Sequence, residues 1–364
     1  MSIFKIIKSN NRFDLYCWAC DFSPNRGEGI LAQHYIKNLS KKLNKKIFIM
    51  TPKGSYDVVN GVLKINNATI KNVHKLNFNF FENYLTPLIG ISYLWINYLK
   101  GRGICYLNFL PLWNIFLFFL LPPKTHFGPV TGFIFKKKVT RFNFFLRKYL
   151  NFFLFKLNLK ILLFRQNKVY FSTDLLKTLL DNNTKKKVLY NYLINLVEIK
   201  KKIFKKNIDF LIYNRNYSVK NNYLRNNFLK SLVKLNLIIY AIGDSLFVPG
   251  IKNLGYISRK KTINFLKRTK FIINSGENPY NIFTIDAFNN HTNIIYEKEF
   301  IRKINFFCKK KLFFFDFREN EKISKFFMKY RFKIKQSSLT KSFKSIKKDN
   351  FAYFNSVKIH YSKN

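Results

Sequence analysis

The feature that most constrains the fold is an alternation of apolar runs and helical patterns, which starts near the N-terminus and again near mid-chain. Residues 15–20 form an apolar run, 21–29 a loop with two glycines, and 30–43 carry apolar residues at helical spacing. The same order returns from 208 to 296. Because strands that alternate with helices form parallel sheets, the sequence predicts an α/β fold of two Rossmann-like, doubly wound domains.

The chain has 364 residues, the length of two ordinary domains. Polar and charged residues fill 181–187 and 200–206, so we expect the domains to meet near residue 200. We assign 1–199 to the N-terminal domain, 200–310 to the C-terminal domain, and 311–364 to a helix and a basic tail. Two such domains are expected to face a cleft and to bind a ligand between the carboxyl ends of both sheets.

The individual elements follow from the same patterns. Strands are predicted at 46–50, 62–65, 103–107, 169–172, 208–213, 237–242, 251–255, 271–274 and 293–296. Helices are predicted at 173–180, 223–234, 260–267 and 280–289.

Lysine and arginine (66) exceed aspartate and glutamate (18), which gives a formal net charge of +48. Such a charge attracts polyanions, namely nucleic acids, anionic lipids or phosphorylated substrates. The cations are spread along the chain, so compositional drift towards lysine-rich solvated faces explains them as well as a selected basic surface does. No nucleic-acid-binding module is recognisable, and no specific nucleic-acid partner is predicted.

The four cysteines are Cys17, Cys20, Cys105 and Cys308. They are too few for a disulfide framework, and no signal peptide is evident, so a cytoplasmic location is predicted. Cys17 and Cys20 have the spacing of a metal knuckle or redox pair. No second pair follows, which favours two small, partly buried residues at a strand end.

Residues 104–121 are the most apolar stretch, interrupted by Asn108, Pro111 and Asn114. A bilayer span needs about 20 apolar residues with few interruptions. A buried helix, or one lying at a membrane surface with Trp113 in the headgroup region, is favoured instead. Peripheral contact with the anionic inner face of the cytoplasmic membrane is therefore expected.

Residues 271–287 read as a strand, a turn and the start of a helix. Ser275 and Gly276 turn the chain, and Pro279 stands near the first helical position, where its missing N–H costs nothing. The free N–H groups of such a helix start suit an anion such as a diphosphate. Asp286, about two turns after Asn278, could bind both hydroxyls of a ribose.

A second segment, 210–221, delivers Arg215 into a loop after a strand, and Lys220 follows five residues later. Two cations at the carboxyl end of a strand can hold a diphosphate and stabilise the charge of a leaving nucleotide. Between the two segments, one strand ends at Gly243 and another pattern closes at Gly255.

These four segments resemble, in order, motifs of the retaining GT-B glycosyltransferases of the group-1 or family-4 class. The resemblance implies transfer of a sugar from a nucleotide diphosphate to a glycan or lipid-linked acceptor, with retention. It also implies a donor in the C-terminal domain and an acceptor mainly in the N-terminal domain. No Asp-x-Asp occurs. No metal or cofactor is expected, and the oligomeric state is not predicted.

The family's residue roles map onto this chain as follows. The catalytic candidates are Arg215, Lys220, Glu277 and His126, the last in a loop facing the cleft. The donor-binding candidates are Gly29, Gly243, Ser275, Asn278, Tyr280, Asn281, Ile282 and Asp286.

Two positions depart from the family pattern. The first acid is split between Glu277, one residue early, and Asn278, a neutral amide, while Asn221 replaces the glycine after the lysine. An inactive GT-B protein that binds sugar or scaffolds a pathway therefore remains the alternative, ahead of a basic protein that binds nucleic acid non-specifically.

Overall fold

The computed structural model describes residues 13–24, 27–66, 82–107, 115–130, 149–165, 169–190, 192–198, 204–214, 226–274, 279–301, 312–319 and 325–327. The described residues divide between Leu193 and Ile194 into two compact units, unit 1 before this point and unit 2 after it.

Unit 1 contains a six-stranded sheet of order β4-β3-β2-β1-β5-β6. Its strands are β1 (Leu15–Ala19), β2 (Ile47–Thr51), β3 (Gly54–Val59), β4 (Val62–Asn66), β5 (Gly103–Leu107) and β6 (His126–Phe127). The strands β1, β2, β5 and β6 run parallel, whereas β3 and β4 are antiparallel to their neighbours. Every residue of β1 is buried, as expected for a central strand covered on both faces.

The strand β3 was not predicted. It joins β4 through a tight turn in which Asn60 (φ 50°) and Gly61 (φ 78°) both adopt left-handed conformations. An Asn-Gly pair in this geometry is a two-residue hairpin turn, whose twist matches that of the flanking strands. The parallel sheet therefore gains an antiparallel edge.

The helices of unit 1 are α1 (Gly27–Leu43), α2 (Glu82–Leu99), α3 (Ile115–Leu120), α4 (Asn151–Arg165) and α5 (Asn182–Lys187). Two short parallel strands, β7 (Val169–Tyr170) and β8 (Val188–Leu189), form a separate ladder, and 3-10 turns cover Lys177–Leu179 and Tyr192–Leu196.

Two sequence predictions in this unit were wrong. The helix expected at 173–180 is only a 3-10 turn. A helix forms instead in the polar segment that follows, because the Asp181 side chain accepts a hydrogen bond from Thr184 N and caps it. The stretch 104–121 is not one helix either. It contains most of β5 and the short helix α3, while 108–114, with Trp113, lie outside the described residues.

Unit 2 contains a fully parallel sheet of order β11-β10-β9-β12-β13-β14. The strands are β9 (Ile208–Asn214), β10 (Ile239–Gly243), β11 (Ile251–Asn253), β12 (Thr269–Ile273), β13 (Asn293–Glu297) and β14 (Leu312–Phe315). The helices are α6 (Asn226–Lys234), α7 (Arg259–Arg268) and α8 (Ile282–Asn289), with a 3-10 turn at Lys298–Phe300. This is the strand order of doubly wound dinucleotide-binding domains, and the direction of winding reverses between β9 and β12.

The predicted alternation in the second half is confirmed, with one extension. The strand β14 lies beyond position 310, where the C-terminal domain was expected to end. Its phenylalanines help close the core: the Phe313 ring meets Phe271, and Phe315 meets Phe327. Leu312 is buried and the phenylalanines are half-buried, so each ring contributes only part of the roughly 1.5–3 kcal/mol that full burial of such a side chain is worth.

Candidate functional site

The candidate site lies where the winding of the unit 2 sheet reverses. Strands β9 and β12 are direct neighbours there, with Ile212 opposite Ile273. Ligands of doubly wound sheets bind outside the carboxyl ends of the strands at this point. The chain leaves β9 at Asn214 and β12 at Asn274, so both predicted donor-binding segments start from one place on the sheet.

Several predicted residues follow these strand ends in the sequence but lie outside the described residues. They are Arg215, Lys220, Ser275, Glu277 and Asn278. Asn221, the second departure from the family pattern, lies outside them as well.

Asn274 fixes the turn that leads into α8. Its side chain is buried, and its Nδ2 donates to Pro279 O (3.2 Å) and to Thr284 Oγ1 (3.0 Å). The same Pro279 carbonyl accepts a hydrogen bond from the Tyr296 hydroxyl (2.7 Å). Side chains from the ends of β12 and β13 therefore hold this turn from inside the domain.

The start of α8 is capped by a predicted site residue. Asn281 has an extended backbone, and its Oδ1 accepts from Thr284 N (2.8 Å) and from Thr284 Oγ1 (3.0 Å). Helix starts carry N–H groups without partners inside the helix, and Ile282, the first helical residue, is only half-buried. Tyr280, predicted to bind the donor, is fully buried, backbone included, and so presents no surface to a donor in this structure.

Asp286 lies inside α8 with 5% of its side chain exposed, and it pairs with Arg259, the first residue of α7. Arg259 Nε lies 2.8 Å from one carboxylate oxygen, and an Arg259 terminal nitrogen lies 2.7 Å from the other. This hydrogen bonding raises the pKa of Arg259. Both oxygens expected to bind a ribose thus already have a strong partner, which sequence reasoning did not identify.

Gly243 ends β10 in a conformation that favours glycine, with φ 93°. A Cβ at this position would lie 2.1 Å from Asn214 O, and Gly243 N donates to Gly255 O (2.9 Å). A backbone hydrogen bond thus joins the two predicted glycine positions directly. Because Gly243 has no side chain, its backbone can pack against the end of β9.

Asn214 is a further residue at this edge that the sequence did not single out. Its Nδ2 donates to Asp244 O (3.0 Å), and its buried Oδ1 has no hydrogen-bond partner among the described residues. A buried acceptor without a partner is costly unless a ligand or water completes it. Its place at the strand end, directly before Arg215, is the only sequence signal that could have identified it.

His126 is not in a loop as predicted. It lies in β6, opposite Cys105 of β5, and is 8% exposed. Its Nε2 makes a short hydrogen bond with the hydroxyl of Tyr35, and the two rings are stacked. Tyr35 therefore orients the imidazole at the edge of the unit 1 sheet.

Gly29 lies inside the first turn of α1, which begins at Gly27 and not at the predicted residue 30. A Cβ on Gly29 would lie 2.2 Å from Ser23 O, so the loop before the helix occupies the space that a side chain would need. This glycine has a packing role between the loop and the helix.

In the Cys17-x-x-Cys20 pair, Cys17 lies inside β1 and Cys20 directly follows its last residue. Cys17 is buried opposite Cys105, and burial raises its thiol pKa. Cys20 Sγ lies 3.1 Å from the Tyr106 hydroxyl, and burial raises its pKa to about 11. Within the described ranges, no group of three or more His, Cys, Asp or Glu side chains could hold a metal ion.

The chain is similar in structure to the lipopolysaccharide outer core galactosyltransferase WaaB, with a TM-score of 0.50 and 11% identity, over 96% of this chain and 100% of that one. The chain has a GT-B fold.

Two other structures match with lower TM-scores. A glycosyltransferase from Rickettsia africae ESF-5 gives 0.46 with 14% identity, over 98% of this chain and 97% of that one. HepE from Anabaena in complex with UDP gives 0.48 with 10% identity, over 96% and 98%. Comparison of the sequence with protein-family models and with curated proteins found no match.

Proposed function

We propose that this chain transfers a sugar, with retention and without a metal, from a nucleotide diphosphate to a glycan or lipid-linked acceptor. One observation carries the proposal. In the sequence, Arg215 and Ser275 follow closely on β9 and β12, two adjacent central strands whose carboxyl ends lie at the edge where doubly wound sheets bind nucleotides. The fold shared with WaaB, itself a galactosyltransferase, supports the same class of reaction.

In this proposal Arg215 and Lys220 hold the donor diphosphate and stabilise the charge that develops on the leaving nucleotide. The Asn281 cap fixes the start of α8, and the N–H groups there form the positive end of the helix dipole, which attracts the same anion. Glu277 or Asn278 contacts the sugar. The acceptor binds mainly the N-terminal domain, where His126 is the candidate polar contact.

Asp286 takes a different role from the one the resemblance implies. Its carboxylate already holds Arg259, so we propose that it positions α8 against α7 and contacts the ribose only if Arg259 moves. Donor affinity then rests on the Arg215 segment and on the backbone of the turn.

The test is donor binding and donor turnover by Arg215→Ala and Lys220→Ala. Loss of one charge-stabilising group should lower turnover by about 10²–10³-fold while the fold stays intact. Lys230→Ala is the matched control, since Lys230 is an exposed lysine on α6 of the same unit. Parent-like turnover in both site variants would overturn the assignment.

A second candidate function is donor binding without catalysis, because Asn278 stands at the first-acid position. A thermal-shift screen with nucleotide diphosphates and their sugars separates the two. A ligand at 100 times its Kd stabilises the native state by about 2.7 kcal/mol. A shift without turnover favours the inactive protein, and no shift with any nucleotide contradicts both.

A further inference from the structure

Helix α2 has an apolar outer face in addition to its buried one. Ile91 and Leu94 face the core of unit 1, whereas Leu88, Trp95 and Leu99 are exposed at intervals of seven and four residues. Such spacing places these three side chains on one side of a helix. After Glu82 the helix contains no charged residue at all. Ser92 is the polar residue on this side, and its hydroxyl donates back to Leu88 O, whereas an ordinary surface helix carries several polar or charged residues there.

Helices α3 and α4 continue this face. The Trp95 indole N–H donates to Leu120 O (2.7 Å), which joins α2 to α3, and the neighbouring Phe119 is 74% exposed. The Arg165 guanidinium donates to the carbonyls of Phe118 and Leu121 and thereby joins α4 to the end of α3. Phe164, next to Arg165, is 92% exposed.

We define the apolar face as the exposed side chains of Trp95, Leu99, Phe119, Leu120, Phe153 and Phe164, all in unit 1. Monomeric proteins rarely leave so many large apolar side chains together in water unless they bind something.

Cations are interleaved with this face. On α4 the exposed residues Phe153, Lys156, Lys160 and Phe164 recur every three or four positions and so share one side. The α3 and α4 sequences contain no acidic residue. Lysines at the border of an apolar face can reach lipid phosphates while their methylene chains and the aromatic rings enter the acyl boundary. A second copy of this chain, with its charge of +48, would be repelled.

We propose that the apolar face docks this protein on an anionic lipid bilayer. No helix in the described part of the chain is long and apolar enough to cross a membrane, so this contact is a surface one. Resting on the proposed function, the inference narrows the acceptor to a lipid-linked one that is presented at the same bilayer.

The experiment is flotation of the full chain with phosphatidylcholine vesicles that contain or lack phosphatidylglycerol. Phe119→Gln/Phe164→Gln should lose most vesicle binding. Lys156→Gln/Lys160→Gln should weaken binding to the anionic vesicles by about 25-fold, because each cation near such a surface contributes about fivefold.

Two matched controls lie in unit 2. Phe247 is also 92% exposed, and Lys230 and Lys234 are exposed and four residues apart on α6. Phe247→Gln and Lys230→Gln/Lys234→Gln should float like the parent. If the unit 2 variants lost as much vesicle binding as the unit 1 variants, the binding would depend only on general charge and exposed apolar side chains. That result would overturn the proposal.

Two further outcomes also overturn it. One is a parent protein that fails to float with anionic vesicles. The other is that these phenylalanines hold a second copy of the chain or another protein instead of lipid. In that case the Phe119→Gln/Phe164→Gln variant would sediment differently from the parent but float with vesicles as the parent does. Flotation needs no donor, and a nucleotide thermal shift on the same variants tests the glycosyltransferase proposal separately.

Discussion

The pair between Arg259 and Asp286 offers the sharpest test of how the candidate site is held together. The Asp286 side chain is 5% exposed and the Arg259 side chain is 33% exposed. Removing one partner therefore leaves the other in a different environment in each case. Arg259→Met leaves a buried carboxylate without its cation. Asp286→Asn leaves an arginine that water can already reach.

The magnitudes follow from this asymmetry. Breaking a buried pair costs about 3–5 kcal/mol, and partial access of water reduces this to about 2–3 kcal/mol for Arg259→Met. Asp286→Asn keeps one acceptor and should cost only about 1 kcal/mol. The double variant Arg259→Met/Asp286→Leu should return close to the parent, because an apolar pair of similar volume removes both desolvation costs.

The assay is urea unfolding, with hydrogen exchange of the α8 peptide as the check that unit 2 is the part destabilised. Arg318→Met is the control, since Arg318 pairs with Asp316 at an exposed position and should show no measurable change. If Asp286→Asn lowers the free energy of unfolding as much as Arg259→Met does, the unpaired buried carboxylate is not the main cause of the destabilisation. If Asp286→Asn leaves stability unchanged but abolishes nucleotide binding, Asp286 contacts the donor and our structural role for it is wrong.

Two further predictions concern backbone and thiol chemistry. Gly243→Ala should cost at least about 2 kcal/mol, because left-handed strain adds to the 2.1 Å approach of its Cβ to Asn214 O. Gly255 also has a positive φ but lies in open space, so Gly255→Ala should cost only the backbone strain. Equal decreases in the free energy of unfolding for the two variants, measured in urea, would refute this reasoning. In a Cys308→Ser background, Cys20 should resist iodoacetamide at pH 8, where a pKa of about 11 leaves about one thiolate in a thousand. Its labelling rate, followed by mass spectrometry, should rise about tenfold per pH unit, and fast labelling at pH 8 would contradict its burial.

The second half of the chain was readable because each strand is a compact apolar run between polar helices. The helix predicted at 260–267 is observed at Arg259–Arg268, and the strand predicted at 293–296 at Asn293–Glu297. In β14, consecutive phenylalanines that follow a run of lysines show neither strand nor helix periodicity. Its pairing with β13 could therefore not be predicted from the sequence.

In the first half, helices α2 and α4 were missed because their outer sides are apolar. A helix is recognisable in a sequence when polar residues recur at helical spacing opposite the apolar ones. Trp95 and Leu99 on α2, and Phe153 and Phe164 on α4, stand at positions where polar residues would be expected. The same apolar outer sides are the basis of the proposed docking on lipid. The hairpin at Asn60-Gly61, by contrast, is indicated by the sequence alone, because an Asn-Gly pair is typical of two-residue hairpin turns.

For the candidate site, motif spacing placed the two segments after strands that are neighbours in the sheet, but it could not show the partners of the side chains. Nothing in a linear sequence shows that Arg259 reaches Asp286, or that Tyr296 reaches Pro279 O, because these contacts depend on how α7, α8 and β13 pack. Tyr280 was assigned to the donor turn from its place in the motif, and its ring is instead fully buried.

The strand order of unit 2 also bears on how the protein is made. The chain builds β9, β10 and β11 before it returns to place β12 beside β9, where Ile208 pairs with Thr269. Distant pairings form late because a long loop must close first, and during synthesis the partner strand does not yet exist. We expect the nascent domain to expose one side of β9 until β12 leaves the ribosome, so the edge that carries the candidate site is completed only then.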